Sequence, residues 1–103
     1  MRTSSGLNLR MSEDLANLVR RMHPNLKKKV RASLEIILSD PTSGKALRDD
    51  LTGLRSFKAG RLRIVYRVSK KEVQVIAIGP RSRIYEETSR LVTKEPSRAK
   101  RSS

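Results

Sequence analysis

Cysteine is absent from this chain of 103 residues, which excludes a disulfide framework, a thiolate nucleophile and any cysteine-ligated metal. Histidine occurs once, at His23. A zinc site would therefore need carboxylates, and a Ser-His-Asp arrangement would depend on that single imidazole. Pro24 follows it directly and disfavours continued helix, which places His23 at a helix end or in a loop. Aromatic residues are only 3% of the chain: Phe57, Tyr66 and Tyr85, with no Trp. So few rings exclude a platform on which several bases stack. No apolar run approaches the ~20 residues of a membrane span, and the opening MRTSSGLNLRMSEDL lacks the apolar stretch of a secretory signal. The protein is expected to be cytoplasmic. Acidic residues are scarce too, 10 against 24 Lys plus Arg, for a net charge of +14 and an isoelectric point near 11.3. Solubility rarely needs this much charge of one sign; the excess anticipates a polyanion such as nucleic acid, a ribosome or an acidic protein.

A chain of this length fits one domain with a modest core, expected over residues 1–93. Residues 6–11 (GLNLRM) alternate like a short strand. Ser12 is set to cap a helix with Glu13 and Asp14 in its first turn, and Leu15, Leu18, Val19 and Met22 form its apolar stripe. His23-Pro24-Asn25 ends that helix, and Asn25 can cap a second one running from about Leu26 to Ser39. Leu26, Val30, Leu34, Ile37 and Leu38 share one face of this helix. Its other face carries Lys27, Lys28, Lys29 and Arg31, a pattern that ordinarily marks a solvated surface. A turn-rich connector at 40–44 leads to residues 45–53, expected to wrap a sheet edge. Three strands follow, at about 54–59, 62–69 and 72–79, joined tightly enough for an antiparallel meander. The last is apolar on both faces, as a doubly covered strand should be. Residues 83–93 suit a short final helix. The tail 94–103, KEPSRAKRSS, carries nothing apolar larger than alanine and is expected to be disordered. The fold class is α+β, in the order β-α-α-β-β-β, with a helical hairpin on one face of a mainly antiparallel sheet and a short C-terminal helix.

That packing uses one face of every strand. In 60-GRLRIVYRV-68 the apolar Leu62, Ile64, Tyr66 and Val68 then go to the helices, which leaves Arg61, Arg63 and Arg67 on the opposite, open face. Phe57 suits the core, so Ser56 and Lys58 join the basic face. The segment 79-GPRSRIYEE-87 adds Arg81, Arg83 and Tyr85 where the sheet ends. Lys58, Arg61, Arg63, Arg81 and Arg83 would then rim a phosphate-binding cleft, because the planar guanidinium fork matches phosphate oxygens.

The run L-x-G-L-R-S-F-K-A-G-R-L-R-I-V-Y-R-V, behind two amphipathic helices and followed by V-x-V-I-A-I-G-x-R-x-x-x-Y, resembles the RelE/ParE superfamily of toxin–antitoxin toxins over roughly residues 7–92. The RelE-like branch cleaves messenger RNA, typically on the ribosome; the ParE-like branch inhibits DNA gyrase and lacks the nuclease residues. The resemblance favours the RelE-like branch: a metal-independent endoribonuclease with no cofactor, inhibiting translation and partnered by a cognate acidic antitoxin, messenger RNA and the ribosome. A ParE-like gyrase inhibitor, or a non-catalytic RNA- or antitoxin-binding member, is the alternative. By resemblance, Arg63 stabilises charge at the scissile phosphate, Arg81 assists the leaving oxygen and Tyr85 is the general base. Arg55, Lys58, Arg61, Arg67 and Arg83 are RNA contacts. The lysine pair of the family is matched poorly, with Ser56 near one position and Lys58 or Arg55 as substitutes. Glu86 is an alternative base, but in a helix it points about 100° from Tyr85. The alternative for Tyr85 is an aromatic that packs helix on sheet.

Overall fold

The computed structural model describes residues 7–93; the expected disordered tail lies outside them. Strand β1 (Asn8–Arg10) leads into helix α1 (Glu13–Arg20). Ser12 caps α1, its Oγ accepting from the Leu15 N–H at 3.1 Å. The second helix, α2, spans Pro24–Ser39 and starts two residues before the expected position. His23, not Asn25, is its cap, with Nδ1 accepting from the Asn25 N–H at 3.2 Å. Proline in the first helical turn has a preset φ and no N–H to leave unpaired, so Pro24 opens the helix and does not merely end the one before it. Val30, Leu34 and Ile37 of α2 are buried.

After a 3₁₀ turn at Pro41–Ser43, a two-residue strand β2 (Lys45–Ala46) pairs antiparallel with β3. The segment expected to wrap the sheet edge thus supplies the edge strand itself, followed by a second 3₁₀ turn at Asp49–Leu51. Strands β3 (Leu54–Ala59), β4 (Leu62–Ser69) and β5 (Glu72–Pro80) form the expected meander. Gly60, with φ +64°, makes the first hairpin turn. Helix α3 follows without a linker, at Arg81–Thr93. The sheet order is β1-β5-β4-β3-β2, with β1 parallel to β5 and the other pairs antiparallel.

Two apolar clusters lie on opposite sheet faces. The larger joins Val30, Leu34 and Ile37 of α2 to Ala59, Ile64, Tyr66, Val73, Val75 and Ile78. The smaller joins Ile84 of α3 to Leu54, Val65 and Ala77, with Ile76 and Tyr85 packed against it. The face expected to be open is therefore partly covered. A bulge in β5 decides which of its residues face this second cluster. Val65 pairs with Ala77 and Tyr66 with Val75, so Ile76 is an extra residue. Strict alternation would set Ala77 beside Val73 and Val75. The bulge sends Ile78 to the larger cluster and leaves both Ile76 and Ala77 toward α3. Their apolar surface, with Val65 and Leu54, needs a cover, and α3 brings the fully buried Ile84 to it. Burying a side chain of that size contributes about 1.5–3 kcal/mol.

Tyr66 fastens the connector after α2 to the sheet. Its hydroxyl donates to the Pro41 carbonyl at 2.7 Å and accepts from the Gly44 N–H at 3.0 Å, with the ring fully buried. Gly44 has room for no side chain, since a Cβ there would sit 2.5 Å from the Tyr66 Oη. Burial raises the Tyr66 phenol above its ordinary value near 10, and the Gly44 N–H offsets only part of that rise. Tyr66→Phe should therefore cost about 1–3 kcal/mol in urea unfolding near neutral pH, because it leaves two backbone groups without their partner. Above pH ~10 the unfolded phenol loses its proton before the folded one, so the wild type loses stability as pH rises. The gap between wild type and Tyr66→Phe should narrow there; a gap independent of pH would contradict this account.

Candidate functional site

Two cations face each other at one end of the sheet. Lys58 of β3 and Arg63 of β4 are register partners on the α3 side, and on its other flank Arg63 faces Gly79, which has no side chain. Like charges directly opposite on a sheet face are destabilising by a few tenths of a kcal/mol to about 1 kcal/mol. Lys58 is exposed and Arg63 half-buried. Neither has an ion-pair partner among the described side chains, where the pairs are Arg10–Glu72 at 3.6 Å and Arg90–Glu86 at 3.5 Å.

Helix α3 adds a third cation. Arg81 stands two residues beyond Gly79, in the first turn, where the helix dipole is also positive. Arg81, Ile84, Tyr85 and Thr88 follow the i, i+3, i+4, i+7 pattern of one helix stripe. Ile84 and Thr88 of this stripe are buried against the sheet, so Arg81 heads the sheet-facing side where the cover begins. Tyr85 reaches across β4 to β3, its hydroxyl 3.1 Å from the Oγ of Ser56. Ser56 is two residues from Lys58 on the same strand face, which sets the Tyr85 hydroxyl about one pleat repeat, ~7 Å, from the cation pair. Lys58, Arg63, Arg81 and Tyr85 thus share one end of one face.

The other candidates go elsewhere. Arg55 has the opposite strand parity and lies on the helical-hairpin face, where its guanidinium donates to the Gly44 carbonyl at 2.8 Å and to the Thr42 carbonyl at 3.4 Å. Arg67 shares the face of Arg63 but donates to Gln74 Oε1 at 2.9 Å, further along the strand. Arg83 is exposed on the side of α3 away from the sheet, and so is Glu86, which pairs with Arg90. Arg61 occupies the β3–β4 turn and is exposed. The partner of Tyr85 was not foreseeable. Strand parity places Ser56 on the correct face, but a contact across 29 residues has no local signal. Among the described residues no group of three His, Asp or Glu is placed to hold a metal ion, and no helix is long and apolar enough to cross a membrane.

Residues 7–85, from β1 through the first turn of α3, match the family described as the ParE toxin of the type II toxin–antitoxin system parDE. The chain belongs to that toxin family. The matched span includes Lys58, Arg63, Arg81 and Tyr85. Solved structures resemble the toxin in fold. One is the RelBE2 toxin–antitoxin complex of Mycobacterium tuberculosis, at 21% identity and TM-score 0.64 over 74% of this chain and 99% of that one. Another is a double arginine-to-alanine variant of Escherichia coli RelE in the free state, at 21% identity and TM-score 0.64 over 90% and 97% of the two chains. A third is the YoeB–YefM complex of Staphylococcus aureus, at 20% identity and TM-score 0.61 over 71% and 94%. No curated relative matches the sequence.

The unpaired cations of the toxin give a stability test. Lys58→Gln relieves the repulsion on Arg63 and should raise stability by about 0.2–1 kcal/mol in urea unfolding at low salt. The gain should shrink as salt screens the wild-type pair. A loss of stability would show that Lys58 is held by something other than its neighbour's charge.

Proposed function

We propose that this toxin is an endoribonuclease that cleaves messenger RNA on the ribosome in the cytoplasm. The observation that carries the reading is the juxtaposition of Lys58, Arg63 and Arg81 at one end of one sheet face, without a described carboxylate to neutralise them. In cleavage through the 2′-hydroxyl, that oxygen attacks the adjacent phosphorus and the bond to the 5′-oxygen breaks. The products are a 2′,3′-cyclic phosphate and a free 5′-hydroxyl. Negative charge grows on the phosphoryl oxygens between these events. Preorganised cations in a partly enclosed site stabilise that charge, and three of them supply the electrostatic work without a metal ion.

We assign the scissile phosphate to Arg63, half-buried between Lys58 and Gly79, and the leaving oxygen to Arg81 at the start of α3. We assign the 2′ proton to Tyr85, whose phenol oxygen, 3.1 Å from the Ser56 Oγ, takes it as the phenolate, while the departing 5′-oxygen takes a proton from water. Glu86 faces away and is paired, which disfavours it as the base. The natural partner is an acidic antitoxin, whose charge would neutralise the cation cluster; the complexes formed by RelBE2 and YoeB support such a partner.

The family match itself favours a second reading, inhibition of DNA gyrase in the ParE-like manner. Inducing the toxin in cells separates the two. Immediate arrest of protein synthesis with cuts at defined codons is the expected result. A DNA damage response with intact messages would overturn the ribonuclease reading. Arg63→Ala and Arg81→Ala should each lower the cleavage rate by roughly 10²–10³-fold, as removal of one transition-state partner does elsewhere, with urea stability nearly unchanged.

A further inference from the structure

The cation cluster does not end at the sheet face. Lys58 and Arg63 are the next-to-last pair of the β3–β4 ladder before the turn at Gly60 and Arg61. On the other side of that turn stands α2. Lys29 of α2 lies across Gly60: a Cβ on that glycine would sit 3.1 Å from the Lys29 Cδ and 3.7 Å from its Nζ. A glycine at φ +64° is what leaves this space, so the lysine stem rests on the bare turn with its ammonium at the hairpin tip. The helix geometry singles out Lys29. The buried stripe of α2 is Val30, Ser33, Leu34 and Ile37, which puts Lys29 on the flank toward the hairpin, Lys27 and Arg31 on the opposite flank, and Lys28 outward.

Lys29, Arg61, Lys58, Arg63 and Arg81 therefore form one strip that begins on the helical-hairpin face, turns round the β3–β4 tip and ends at the first turn of α3. Lys29, Arg61 and Lys58 are exposed, and none of the five has an ion-pair partner among the described side chains. Its composition identifies the partner. Protein interfaces have an apolar centre and, although arginine is common in them, are depleted in lysine; the exposed large apolar residues, Leu9, Leu18, Ile36, Val68 and Leu91, all lie off the strip. A line of point charges without an apolar centre suits a sugar–phosphate backbone. We propose that this strip is a track for single-stranded RNA, on which the strand bound at Arg63 continues round the hairpin tip so that Arg61 and Lys29 each hold a phosphate beyond the scissile one.

The inference rests on the ribonuclease reading and is testable apart from it. A fluorescent 12-nucleotide RNA carrying 2′-O-methyl groups cannot be cut through the 2′-oxygen and reports binding alone. Its affinity should fall with salt, and each phosphate contact on a single strand adds about 0.7 to the slope of log K against log salt. Lys29→Gln and Arg61→Gln should each reduce that slope by about 0.7, and the double variant by about 1.4. Lys28→Gln, one residue away but facing outward, should leave it unchanged. If the wild type binds and the Lys29 and Arg61 variants keep its slope, the track is wrong while the site at Arg63 stands. If the wild type does not bind the RNA even at low salt, the track is overturned, while the ribonuclease reading, which acts on the ribosome, is decided by the induction experiment. If these variants instead lose affinity for poly-L-glutamate and keep it for RNA, the strip belongs to an acidic protein partner and the proposal is overturned.

Discussion

Ile64, Val65 and Tyr66 are consecutive and completely buried, and a strand can bury consecutive residues only when both its faces are covered. That requirement on β4 organises the molecule. Ile64 and Tyr66 call for the helical hairpin, and Val65 calls for α3 on the other side. The bulge at Ile76 divides β5 between the two covers, leaving Ile76 and Ala77 toward α3 and sending Ile78 to the hairpin. Without it Ala77 would face the hairpin and Ile78 would stay with Ile76 on the α3 side, so the larger cluster would lose an isoleucine.

The same cover sets the limits of the site. Under α3 Val65 is fully buried, whereas in the next row of that face Arg63 is half-buried and Lys58 exposed. The cations emerge where burial ends, beside a helix start that is itself positive. A face buried throughout would have to neutralise or desolvate them at a cost of several kcal/mol per ion. A face left open throughout would give each arginine the mobility of a surface residue. The boundary between the two leaves Arg63 half-buried, a setting in which a charge is oriented and yet reachable.

Tyr66 and Tyr85 show how two aromatic residues can be spent on opposite faces. Tyr66 ties the connector after α2 to the sheet through Pro41 and Gly44, and Arg55 braces the same connector by donating to Thr42 and Gly44. Tyr85 ties α3 to β3 through Ser56. Arg55 is thus occupied on the face where it falls, while Lys58, three residues on, belongs to the other. Neighbours in sequence with the same charge have unlike duties because the pleat separates them.

The alternation of 60-GRLRIVYRV-68, the charge excess, the helix stripes and the tight hairpins are local, and each is legible in the residues because strand and helix periods impose it. They suffice for the helical hairpin on a meander, and for placing Ser56, Lys58 and Arg63 on the face away from it. The chain alone could not say that Arg55 and Arg67 would be engaged elsewhere, that Arg83 would turn outward, or that Lys29 would rest on Gly60. Nor could it say that the open face would be half closed. Those outcomes depend on contacts between residues distant in the chain, and so does the pairing that makes the bulge in β5. A bulge reverses the facing of every residue beyond it, and no local pattern records which distant side chain fills the space it opens. Composition assembled the cations; the tertiary packing chose which of them stand together.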